Sequence, residues 1–144
     1  MDNEEIKMGA LFRWINNTFE QRINEMLKKH DLTRSQCDIL LYLTKSSHKG
    51  IDNITQRDIE KTFRISNPTV TGLLNRLESK EFIGRKVSSK DARYKYIVLS
   101  DKAIRVLNEI KLSLDENERK VFSCLSEDEV DTLKSILLKI VSDL

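Results

Sequence analysis

The sequence predicts a mostly α-helical chain with a small β-wing: a winged helix-turn-helix lobe, plus a helical dimerisation region built from both chain ends. Three observations predict it. Apolar residues recur at helical spacing through most of the 144 residues, only "RI" separates two of the resulting helices, and after Phe82 the period changes to that of strands. The expected division is 1–30 for the N-terminal helix of the dimerisation region, 31–100 for the winged helix-turn-helix, and 101–144 for the C-terminal helices.

The first segment, to about Lys29, carries Leu11, Phe12, Ile15, Phe19, Ile23, Met26 and Leu27 on one face of a long amphipathic helix. It ends at "KKHD". Thr33 then caps a second helix with Gln36 at the capping-box position and Ile39, Leu40, Leu41 and Leu43 behind it, and "SSHKGIDN" reads as the loop that follows. In "ITQRDIEKTF", Thr55 is the expected N-cap of a short third helix, with Asp58 in its first turn and Ile59 and Phe63 facing inward.

The stretch "ISNPTVTGLLNRLESKEFI" supplies the fourth helix. Val70, Leu73, Leu74 and Leu77 form its apolar face, Ser66 is a natural N-cap, and Pro68 falls in the first turn, where it removes no intrahelical hydrogen bond. The opposite face carries Pro68, Gly72, Asn75 and Ser79, flanked by Thr69, Thr71 and Arg76. An exposed mid-helix Gly costs ~1 kcal/mol relative to Ala, so a small, polar face with no carboxylate at its centre suggests close approach by a partner. The major groove of DNA admits a helix and presents base edges and phosphates to Thr, Asn and Arg. A polar surface helix with an incidental glycine is the other reading of these residues alone.

"IGRKVSSKDARYKYIVLS" has β-branched and aromatic residues on both sides of "SSKDAR", the pattern of a hairpin with a charged tip. The tip holds Lys90, Asp91 and Arg93, with Arg85 and Lys86 on the incoming strand and Lys95 on the outgoing one. Such a hairpin after a helix-turn-helix is a wing able to reach phosphates or a minor groove. Ser100 then caps a long helix with Ala103, Val106, Leu107, Ile110 and Leu114 in register. Ser126 and Glu129 form a capping box for the last helix, with Val130, Leu133, Ile136, Leu137, Ile140 and Leu144. The apolar faces of the first and last helices lie outside the compact lobe, and a second copy of the chain is the simplest cover for them.

Charge is distributed unevenly. The net value is only +2, yet Arg57 to Lys102 contains eleven Lys or Arg against six acids, whereas Asp115 to Leu144 contains four against eight. The middle of the chain is therefore the electropositive part. No apolar run approaches the ~20 residues that cross a bilayer, and "MDNEEIKMG" lacks a signal-peptide layout, so the sequence predicts a cytoplasmic protein without a membrane partner. Cys37 and Cys124 have no zinc or disulfide spacing, His30 and His48 stand alone, and no cofactor or metal is expected. No Gly-rich phosphate loop or nucleophile with its base is present, which argues against an enzyme.

With "LTRSQCDILLYL", "NPTVTGLLNRLE" and the D-x-R wing tip Asp91-Ala92-Arg93, in this order of elements, the chain resembles the MarR family of bacterial transcriptional regulators over nearly its whole length. The resemblance implies a homodimer joined through its terminal helices that represses genes from a palindromic, inverted-repeat operator in double-stranded DNA. It places Ser66, Asn67, Thr69, Thr71 and Arg76 against DNA, sends Arg93 into the minor groove, and gives Asp91 the task of holding the wing. Many members release DNA on binding a small, often aromatic ligand. Phe12 and Trp14 are the candidates to line such a crevice, with a core role as the alternative.

Other members sense oxidants through a cysteine near the start of the first helix, but this chain has none before Cys37. Cys37 and Cys124 are both expected to be buried, inert thiols, with redox sensing through either as the alternative. A winged helix that docks proteins is the rival reading from another class; it has no need of Lys86, Lys90, Arg93 and Lys95 around one hairpin.

Overall fold

The computed structural model describes residues 5–144; the first four residues of the acidic start lie outside them. Six helices and one two-stranded sheet follow in the order α1 (Met8–Lys29), α2 (Arg34–His48), α3 (Gln56–Phe63), α4 (Asn67–Ser79), β1 (Ile83–Val87), β2 (Lys95–Leu99), α5 (Asp101–Val121) and α6 (Glu127–Ser142). The chain divides into two compact units, one ending at Lys111 and one spanning Leu112–Leu144.

The helix starts are set locally. Thr33 with Gln36, Thr55 with Asp58, and Ser126 with Glu129 all form reciprocal capping boxes, and the Ala103 N–H donates to Ser100 Oγ at 3.1 Å. Ser66 occupies the N-cap position of α4 but makes no side-chain cap bond; its hydroxyl instead meets Thr69 Oγ1 at 2.9 Å. Pro68 in that first turn fixes φ, so α4 begins without the cap.

The helix ends follow one rule that the sequence reading did not identify. After α1, α2, α3 and α4 the chain takes a left-handed residue, Asp31, Gly50, Arg64 and Glu81, followed by an apolar one, Leu32, Ile51, Ile65 and Phe82. Each apolar residue's N–H donates back to a carbonyl in the last helical turn, Phe82 to Leu77 at 2.9 Å and Leu32 to Leu27 at 3.0 Å. Only one of the four positions is a glycine. The other three accept a positive φ, a cost of roughly 1–2 kcal/mol each, and after Asp31 and Glu81 the residue that follows is thereby turned into the core. Leu32 and Phe82 are buried.

The core of the first unit is built from Leu27, Ile39, Leu40, Ile59, Val70, Leu74, Leu77, Phe82 and Ala103, all nearly or fully buried. Val70, Leu74 and Leu77 at i, i+4, i+7 are fully buried, so the inner face of α4 is fixed and its outer face with it. Truncating Leu74 to Ala costs ~2–5 kcal/mol by analogy with other core leucines. Ile83 and Ile97 continue this core into the sheet.

Two expectations are corrected. "SSH" belongs to α2, which runs to His48 with Ser46 buried, so the following loop is shorter than the sequence suggested. Cys124 is exposed in the turn between α5 and α6 instead of being buried, because the helix ends three residues earlier and no element covers that turn within its unit. Cys37 is buried as expected, and burial, reinforced by Asp38 and opposed by Arg34, pushes its thiol up. No described helix is long and apolar enough to cross a membrane.

Candidate nucleic-acid interface

The site grows from the junction of α3 and α4. Arg64 in its left-handed conformation and Ile65, whose N–H donates to the Glu60 carbonyl at 3.2 Å, turn the chain within two residues, so α4 starts beside α3. Buried Ile59 and the α4 stripe hold this pair together. With the apolar stripe facing in, Ser66, Asn67, Pro68, Thr69, Asn75, Arg76 and Ser79 are exposed, and Thr71 and Gly72 are partly so. The face drawn from helical spacing is the face the fold exposes.

Several of these side chains are held in place. Glu60 Oε1 accepts from Asn67 Nδ2 at 2.6 Å and from Gln56 Nε2 at 3.2 Å, and Gln56 Nε2 also donates to Thr71 Oγ1 at 2.7 Å. Gln56 and Glu60 lie on α3 and were not singled out in the sequence; a signal existed in their i, i+4 spacing, but their reach to α4 depends on how the two helices pack. Tyr42 on α2 supports the same region, its ring packed edge-on against Phe63 at 5.7 Å while its hydroxyl accepts from Thr62 at 3.3 Å.

The wing is an antiparallel pair in which Arg85 faces Ile97 and Lys86 faces Tyr96. The Ile97 N–H donates to the Ile54 carbonyl at 2.8 Å, which docks the hairpin against the segment before α3. At the tip, buried Ser88 is the anchor: its Oγ accepts from the N–H groups of Lys90 and Asp91 and from Tyr96 Oη. Ser88 was also missed, since a serine in "SSKDAR" looks like turn filler. Asp91 accepts from the Arg93 N–H at 3.0 Å and from its guanidinium at 2.8 Å, which holds the Asp91 carboxyl below the usual carboxylate range and raises Arg93. The Arg93 side chain is nonetheless 87% exposed.

Arg85 is differently engaged. Its Nη2 donates to Asn75 Oδ1 at 2.8 Å and its Nε lies 3.4 Å from Glu78 Oε2, so the wing's first strand grips α4. Arg76, Lys86, Lys90 and Lys95 are exposed and form no ion pair among the described residues. Phe12 and Trp14 lie outside this site, on α1, 44% and 49% exposed. A cavity of about 620 Å³ lies within the C-terminal unit, between Asp115, Glu118, Phe122, Leu125, Val130 and Asp131 among others. No group of three or more potential metal ligands occurs among the described residues.

Comparison with known proteins agrees with this geometry. The MarR family profile matches residues 30–93, from before α2 through the helix-turn-helix to the wing tip. The transcriptional regulator MgrA of Staphylococcus aureus is 30% identical over 118 residues, 82% of this chain and 76% of MgrA; MhqR of Bacillus subtilis is 25% identical over 97% of this chain and 93% of its own. Among solved structures, a complex of S. aureus MepR with DNA superposes with a TM-score of 0.80 at 35% identity, covering 94% of this chain and 98% of MepR. Sequence, wing, helix pair and relatives agree: the chain belongs to the MarR family of winged helix-turn-helix transcriptional regulators.

Proposed function

We propose that the protein regulates transcription as a homodimeric repressor in the cytoplasm, placing α4 in the major groove and the wing beside it on each half of an inverted-repeat operator. The observation that carries this reading is the set of exposed cations on one helix face and one hairpin: Arg76, Lys86, Lys90 and Lys95, without an ion pair among the described residues, and Arg93, paired with Asp91 yet exposed at the tip. Phosphate contacts by such groups position a protein, and the small polar residues Asn67, Thr69, Thr71 and Asn75 between them reach base edges. The solved MepR–DNA complex supports the same use of the fold.

A dimer is supported by what α1 and α6 leave exposed. Met8, Leu11, Phe12, Trp14 and Ile15 on α1, and Ile136, Leu138, Ile140 and Val141 on α6, are large apolar side chains without cover, and α6 has no buried residue. Two-fold symmetry would then set the recognition helices about 34 Å apart, one turn of the duplex.

The test combines light scattering with salt titrations on operator and random duplex. Twice the 16.8 kDa chain mass is expected. Arg93→Ala should weaken binding to both duplexes and make the salt slope shallower by about one if one phosphate contact is lost. A monomer at micromolar concentration rejects the dimer. Unchanged affinity and slope reject the wing assignment in favour of a protein-docking role.

A ligand is the second reading, favoured by the cavity in the C-terminal unit. Its apolar wall of Phe122, Leu125 and Val130 and its four carboxylates, Asp115, Glu118, Glu127 and Asp131, against the single guanidinium of Arg119, suit a flat aromatic cation. S. aureus MepR, 34% identical with a TM-score of 0.72, has been solved bound to ethidium bromide. Phe12 and Trp14, exposed on α1 in the other unit, remain candidates for a ligand contact of their own.

A further inference from the structure

We propose that Gln56 and Glu60 on α3 fix the hydrogen-bond polarity of Thr71, making it a donor that reads a keto base, guanine or thymine, in the major groove. The inference rests on the DNA-binding reading above and specifies which base edge one residue takes.

Glu60 carries a carboxylate that can only accept hydrogen bonds. Its Oε1 receives Asn67 Nδ2 at 2.6 Å and Gln56 Nε2 at 3.2 Å. Turned the other way, the Gln56 amide would set its own oxygen against that carboxylate, so charge fixes which end of the amide faces it. The same Nε2 carries a second hydrogen, and Thr71 Oγ1 lies 2.7 Å away. The Thr71 hydroxyl is therefore the acceptor in this pair, and its own hydrogen is left over.

Two other helical threonines behave differently, whereas Thr62, Thr69 and Thr132 share with Thr71 the lack of a bond to the carbonyl four residues earlier among the described residues. Thr18 and Thr44 donate to the carbonyls four residues earlier, Trp14 at 3.0 Å and Leu40 at 2.9 Å, as threonines in helices commonly do. Among the described residues, Thr71 makes no such bond. Its hydrogen is free to point from the exposed face of α4, and a partner there must supply an acceptor. In the major groove guanine offers N7 and O6 and thymine O4, whereas cytosine offers only an amine and adenine sets an amine beside its N7. The contrast is sharpest between guanine and cytosine.

Selection of duplexes from a randomised library by the full-length protein tests this, with Thr71→Val, Gln56→Met and the charge-neutral pair Gln56→Glu with Glu60→Gln alongside. The base position read by Thr71 is the one whose preference collapses in Thr71→Val. At that position the wild type should favour guanine or thymine over cytosine by roughly three- to tenfold, the worth of one hydrogen bond. In the paired variant a carboxylate at position 56 takes the Thr71 hydrogen and leaves lone pairs outward, so the preference should invert to cytosine or adenine. Gln56→Met frees the hydroxyl to rotate, and the preference should fall to about twofold or less.

Inversion is a result that mere loss of structure cannot produce. If thermal melts show the paired variant unfolded, Gln56→Met decides alone. The proposal is overturned if the position-56 variants keep the wild-type preference, if the wild type favours an amino base there, or if Thr71→Val changes no position. A wild-type protein that selects no duplex removes the DNA-binding reading itself, a result distinct from selection indifferent to position 56.

Discussion

Arg85 on the first strand of the wing donates through Nη2 to Asn75 Oδ1 on α4 at 2.8 Å, tying the hairpin to the helix it flanks. The same guanidinium approaches Glu78 Oε2 at 3.4 Å, one helical turn from Asn75. A residue that reads in the sequence as another phosphate contact is thus engaged within the protein. Its fork reaches two partners on one helix through two separate nitrogens, a geometry that a single ammonium does not reproduce.

That relationship separates bracing from simple charge. Arg85→Ala should change stability by no more than about 1 kcal/mol, since the ion pair is near the surface, but should weaken operator binding as Asn75 loses its fixed orientation. Arg85→Lys keeps the charge and loses the fork. Gel shifts that show Arg85→Lys as weak as Arg85→Ala support bracing; full rescue by lysine means that the charge alone matters.

Gly72 should prove to be an access residue. Beyond the backbone of its own helix and its two chain neighbours, a Cβ built there meets no described atom within 4 Å, so no packing contact requires the glycine. Gly72→Ala should stabilise the helix by up to ~1 kcal/mol and weaken DNA binding if a duplex lies against that backbone. Melts and gel shifts on the one variant decide it, and unchanged affinity would make the glycine incidental.

The wing tip should be insensitive to pH until strongly acid conditions. The Asp91 carboxyl is lowered by its hydrogen bonds from the Arg93 side chain and then the Arg93 N–H. A depressed folded-state pKa means that this contact is fully formed above the ordinary aspartate value of about 3.9 and is lost as pH falls through the lower one. The Asp91 carboxyl carbon, followed by NMR, should titrate below the ordinary aspartate value of about 3.9. A midpoint at or above the ordinary value contradicts the pairing.

The two thiols should differ in reactivity. Cys124 is exposed, whereas Cys37 is buried with its thiol pushed up, so both access and thiolate fraction disfavour Cys37. A maleimide at neutral pH should label Cys124 first and reach Cys37 only on unfolding. Mass spectrometry of digested protein reads the order; early labelling of Cys37 would expose an opening of α2.

The sequence by itself determined the helices, the wing and the outward face of α4. Those features depend on local rules: Thr33, Thr55 and Ser126 cap from within three residues, and Val70, Leu74 and Leu77 define an inner face wherever the helix packs. The polar, glycine-bearing surface of α4 and the cations of the hairpin were legible for the same reason. Tertiary structure decided which of those side chains are free. Gln56 and Glu60 meet Asn67 and Thr71 only because a left-handed Arg64 folds α3 beside α4, and Arg85 meets Asn75 only because the hairpin docks along the helix. Hydrogen bonds between residues seven to fifteen positions apart depend on angles between elements, and those angles follow from packing a shared core, which no local pattern records.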